Sequence, residues 1–146
     1  MIRNDEPIIV EQTFHASIDT VWKSITEIDL MRQWYFDSIP SFKPEIGFET
    51  QFNVESGDKN FLHLWKVIEV VPLKKIAYNW KYEGIPGDSF VAFELFKKND
   101  LTMLRLTHQI MESFPEDIPE FSRENGVEGW TFFIRKSLKD FLEKNY

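Results

Sequence analysis

A one-faced helix at the end of a run of strands leaves few folds open to this chain. Trp130, Phe133, Ile134, Leu138, Phe141 and Leu142 recur at the three-to-four spacing of an amphipathic helix, while Lys136, Lys139, Asp140, Glu143 and Lys144 take the opposite side. On this spacing the pair Gly129-Trp130 opens the helix, and close packing on a sheet is the expected reason for a glycine there. From Gly47 to Gln109 the apolar period is two, as in antiparallel strands. A helix that follows a curved sheet buries its stripe by lying in the concave face. The space between them is then either a filled core or a ligand cavity.

The rest of the chain supports that order of elements. Ile8 to His15 alternates as a first strand. Ser17 or Asp19 supplies an N-cap for a helix through Val21, Trp22, Ile25 and Ile28, and a second short helix after Asp29 carries Leu30, Met31 and Trp34. Pro40 and Pro44 keep the stretch from Tyr35 to Ile46 irregular. Lys66 and Glu69 fall on opposite parities of one long strand from Phe61 to Val71, which predicts a bulge or twist between them. Asn99-Asp100 is a two-residue hairpin signal. Pro115 and Pro119 mark an acidic loop before the final helix. The expected fold class is α+β: a helix-grip arrangement in which a curved antiparallel sheet of six to seven strands wraps a long C-terminal helix, with two short helices after strand one. All of residues 1–146 are expected to form a single domain.

Charge and composition narrow the function classes. A net charge of −7 opposes a phosphate-binding footprint, so nucleic acid is not an expected partner. The chain has no Cys, which excludes disulfides and thiolate metal sites and suits a reducing cytoplasm. The opening MIRNDEPIIV carries no signal-peptide pattern, no apolar run is long enough to span a membrane, and a cytoplasmic location is expected. Fourteen Phe, 5 Trp and 4 Tyr make the apolar fraction rich in rings.

Residues with chemistry are few. His15, His63 and His108 fall in no metal-binding frame, so neither a metal nor a cofactor is expected. Strand parity puts His108 on the face of Leu104 and Leu106, where a polar group needs a partner, either within the protein or on a ligand. Arg105 and Glu94 are expected to pair across the outer face. There is no nucleophile motif and no phosphate loop, and Ser137 reads as a small helix residue; no catalytic residue is assigned and an enzyme is not the first expectation.

The string from His15 to Trp22, with Met31-Arg32-Gln33-Trp34-Tyr35, resembles the opening of the START/Bet v 1-like (SRPBCC) superfamily, and within it the domain related to the activator of Hsp90 ATPase. Pro44 to Phe48, Lys66 to Leu73, Tyr78-Asn79-Trp80, Thr102 to His108 and Gly126 to Trp130 continue the resemblance in order over nearly the whole chain. It implies a sheet gripping the terminal helix around a hydrophobic cavity. It also implies relatives that bind lipids, hormones or polyketides, act as cyclases or dehydratases, or touch a chaperone. The chain lacks a counterpart of the activator's separate N-terminal domain, which makes a chaperone-like partner the alternative. The first expectation is a binding module for a small hydrophobic, lipid- or polyketide-like molecule. Its expected lining is Trp34, Phe52, Trp65, Trp80, Phe93, Leu106, His108, Trp130, Phe133 and Ser137. A protein-interaction domain of the Hsp90-activator kind and a cyclase or dehydratase stay open as alternatives.

Overall fold

A computed structural model describes residues 1–145. Six strands form one antiparallel sheet: β1 (Ile8–Phe14), β2 (Glu49–Ser56), β3 (Lys59–Val71), β4 (Lys75–Tyr82), β5 (Asp88–Lys98) and β6 (Leu101–Glu112), in spatial order β1-β6-β5-β4-β3-β2. β2 to β6 are joined by hairpins, which antiparallel neighbours permit. The β5–β6 turn is Asn99-Asp100, with Asn99 at φ 57°, a conformation its short polar side chain tolerates. The register of β3 on β4 shifts between Val67 and Glu69, where the parity of Lys66 and Glu69 required a bulge.

The connection from β1 to β2 crosses from one edge of the sheet to the other, and it holds the two short helices. In α1 (Ile18–Thr26) the Ser17 side chain caps the Thr20 amide, while Val21 and Ile25 are buried. Then α2 (Ile28–Trp34) buries Met31 and Trp34 and stops at Tyr35. Beyond it, Arg32 donates to the carbonyls of Ile39 and Pro40 at 2.8 Å each, fixing the segment that carries the chain to the far edge strand.

The C-terminal helix differs from the sequence expectation at both of its constraining features. It begins with α3 (Arg123–Thr131), capped by Ser122, six residues before Gly129. Its first two turns carry Arg123, Glu124, Asn125 and Glu128, so no apolar stripe announces them. The close approach to the sheet falls at Gly126, where a Cβ would sit 2.9 Å from Ile8 Cδ1, while a Cβ on Gly129 would meet nothing within 4 Å. Phe132–Leu138 continues as a π-helical stretch before α4 (Lys139–Asn145). Side chains four apart drift by about 40° on an α-helix. A wider turn reduces that drift, and Trp130, Ile134 and Leu138 all stay buried on one line.

Candidate functional site

The concave face of the sheet is covered by rings that pack on one another. Tyr35 stacks on Trp34 with centroids 4.6 Å apart and also meets Trp65, Phe93, Trp130 and Phe133. Trp65 in turn lies against Tyr78, Phe52 and Trp80. Contacts of this density bury large apolar areas and give each pair a further ~0.5–1.5 kcal/mol. Most of the space that a lipid chain would need is therefore occupied by the protein's own side chains.

Polar tips inside this layer are joined in short chains. Trp130 Nε1 donates to His108 Nδ1 at 3.1 Å, His108 Nε2 lies 2.9 Å from Ser89 Oγ, and Ser89 Oγ donates to the Trp80 carbonyl at 2.7 Å. An indole can only donate, so the His108 proton sits on Nε2 and points to Ser89. Burial, followed by the charge of the N-terminal ammonium, lowers the His108 pKa to about 4, so the ring is neutral at pH 7. With both nitrogens engaged, His108 offers neither a lone pair nor a proton while the chain of bonds stands. His63 donates from Nδ1 to the Phe61 carbonyl, and burial lowers its pKa to about 4 as well. The Tyr35 and Tyr78 hydroxyls bond to each other at 2.8 Å, and burial raises both pKa values. Thr50 Oγ1 and Trp65 Nε1, on directly opposed residues of β2 and β3, have no hydrogen-bond partner among the described residues.

A cleft of about 120 Å³ remains between the sheet and α3, partly open to solvent. Phe36, Trp80, Tyr82, His108, Trp130 and Phe133 form its apolar walls, and Glu120 and Asn125 add polar groups. Met1, Gly126 and Gly129 complete it, and the empty space above Gly129 is part of this opening. Trp80 Nε1 donates to the Tyr82 hydroxyl at 2.8 Å, and burial pushes the Tyr82 pKa up to about 12.

The structure brings four of the ten expected lining residues together here: Trp80, His108, Trp130 and Phe133. Trp34, Phe52, Trp65, Phe93 and Leu106 lie buried in the packed layer behind the rings that line the cleft. Ser137 donates to the Trp34 carbonyl at 2.6 Å, so its hydroxyl ties the C-terminal helix to α2. The expected Arg105–Glu94 pair does not form: although Glu94 and Arg105 are opposite in register, Arg105 bonds Glu11 at 2.7 Å and lies over the Phe96 ring. Seven cleft residues lie outside the expected lining: Met1, Phe36, Tyr82, Glu120, Asn125, Gly126 and Gly129. Phe36 stands in an irregular stretch where no period assigns a face, and Gly129 was expected to be packed. Tyr82 shares the parity of Tyr78 and Trp80, a signal that was available.

A curved antiparallel sheet closed by a terminal helix, with an aromatic cleft between them, defines a helix-grip protein. The sequence matches the family of the activator of Hsp90 ATPase homolog 1-like protein over residues 15–143, and the chain belongs to that family. No curated protein sequence matches it. Among solved structures it is similar to protein MLL2253 from Mesorhizobium loti, at 23% identity and a TM-score of 0.76, covering 97% of this chain and 99% of that one. It is also similar to the Aha1 dimer from Colwellia psychrerythraea, at 22% identity and TM-score 0.68 over 95% and 97% of the two chains. A third is DynU16, described as a protein in the dynemicin biosynthetic locus, at 22% identity and TM-score 0.73 over 95% of this chain and 48% of that one. Among the described residues no helix is long and apolar enough to cross a membrane.

Proposed function

We propose that this chain is a one-domain binding module that takes a small hydrophobic molecule into the cleft between the sheet and the C-terminal helix, in a cytoplasmic setting. The observation that carries this reading is a ring-walled space left open above Gly129 in an otherwise filled interior. Cavities near 150 Å³ lined by apolar side chains take up benzene, and about 120 Å³ with an open side suits one ring with a short substituent. A lipid or polyketide, the ligand class expected from the sequence, needs the terminal helix to move off the sheet or the aromatic layer to rearrange. DynU16 supports ligand handling on this fold by its locus alone.

The test is melting with and without a small aromatic compound such as toluene. Binding to the folded state alone stabilises by mass action, about 2.7 kcal/mol at a hundredfold excess over Kd. A saturable rise in Tm with a matching change in tryptophan emission is expected. Absence of a saturable response to toluene, indole and acetophenone alike would leave the cleft as a packing defect and the protein without this function.

A further inference from the structure

Among the aromatic side chains of the cleft wall, one polar group has capacity to spare. His108 uses both ring nitrogens, and the indole N–H groups of Trp80 and Trp130 are both donated. Tyr82 is different. Its hydroxyl accepts from Trp80 Nε1, and among the described residues it has no acceptor for its own proton. The bond from Trp80 fixes the oxygen and strengthens it as a donor, since hydrogen bonds in a chain polarise one another. The phenol stays protonated through the neutral range. Across the opening, Gly129 puts bare helix where any other residue would place a side chain, in a helix that an alanine would favour more. No backbone or side chain of the protein requires a glycine at that point.

We infer that the cleft selects a single-ring molecule bearing a hydrogen-bond acceptor, such as an aryl ketone or ester. The ring enters the slot beside Gly129, and the Tyr82 hydroxyl donates to its acceptor oxygen. This rests on the proposed function and narrows its ligand class. The acidic groups nearby, Glu120 above all, accept rather than donate, so they add no pull on an acceptor oxygen. Glu120 is already engaged by Lys59 and Ser56.

Acetophenone and α-methylstyrene test it, because the second replaces the ketone oxygen with a methylene of nearly the same shape. Both are titrated by calorimetry against wild type, Tyr82→Phe and Gly129→Leu. Tyr82→Phe keeps the ring stacked on Phe121 and removes the hydroxyl, which also frees Trp80 Nε1; α-methylstyrene reads that second change alone and serves as the control. The expected result is that Tyr82→Phe weakens acetophenone about three- to tenfold more than α-methylstyrene. Gly129→Leu should remove binding of both. In wild type, the infrared carbonyl stretch of bound acetophenone should stay near its hydrogen-bonded value and not move to its value in alkane; this second measurement does not depend on any variant folding. Equal losses for the two probes in Tyr82→Phe, or an alkane-like carbonyl stretch, would overturn the selection by Tyr82 while leaving the binding function intact. If neither probe binds wild type, or if Gly129→Leu binds both unchanged, the proposed function itself fails.

Discussion

His108 shows how a single side chain can be placed correctly from sequence while its role stays hidden. Period-two parity put it with Leu104 and Leu106, and it is buried there. What parity could not supply was the partner, because Trp130 and Ser89 come from an approaching helix and a neighbouring strand. The structure makes its loss costly in the empty protein. His108→Ala leaves the Trp130 N–H without an acceptor and Ser89 Oγ without its donor, and should lower unfolding free energy by about 1–3 kcal/mol. Urea midpoints of wild type and variant measure this, and equal midpoints would mean that the imidazole is not a structural link. The same limit explains Arg105. Register leaves it a choice between Glu94 and Glu11, and only side-chain geometry shows that it turns to Glu11.

Among the elements, the sheet was nearly all legible and the terminal helix only in part. Strand alternation, the Ser17 cap, the Asn99-Asp100 turn and the bulge before Glu69 are local signals, written in neighbouring residues. The start of the C-terminal helix is not, since its first turns are polar and its cap, Ser122, follows a loop broken by Pro119. Gly129 was misread for a related reason: a glycine beside a buried tryptophan looks like close packing, yet the contact with β1 is made one turn earlier by Gly126. This reverses the sign of a substitution. Gly129→Ala meets no neighbour and improves helix propensity, so it should raise stability by about 0.5–1 kcal/mol. Gly126→Ala gains the same propensity but must displace the side-chain tips of Ile8 and Met1, so its effect should fall below that of Gly129→Ala. Thermal or urea unfolding of the two variants decides, and equal effects would contradict the two distances.

At the scale of the whole molecule, the interior of rings makes folding sensitive to acid. Burial lowers the pKa values of His63 and His108 to about 4, against about 6.5 in an unfolded chain. Between those values the unfolded chain binds protons that the folded protein does not, so stability is full above pH 6.5 and falls as pH drops toward 4. The loss is on the order of 2–3 kcal/mol for each imidazole. Urea midpoints between pH 7 and 4.5 should decline through this window, and a flat profile from pH 7 to 5 would mean that the two rings are solvated. The central claim is that the interior is closed everywhere except at the cleft by Gly129. The five tryptophan indole N–H resonances report on it directly, because Trp80 and Trp130 line the cleft while Trp34 does not and its N–H is bonded to the Ser24 carbonyl. In a titration with toluene followed by 15N–1H spectra, the Trp80 and Trp130 signals should move saturably with one common Kd while the Trp34 signal stays in place. Movement of Trp34 in step with them, or no saturable movement at Trp80 and Trp130, would contradict the account.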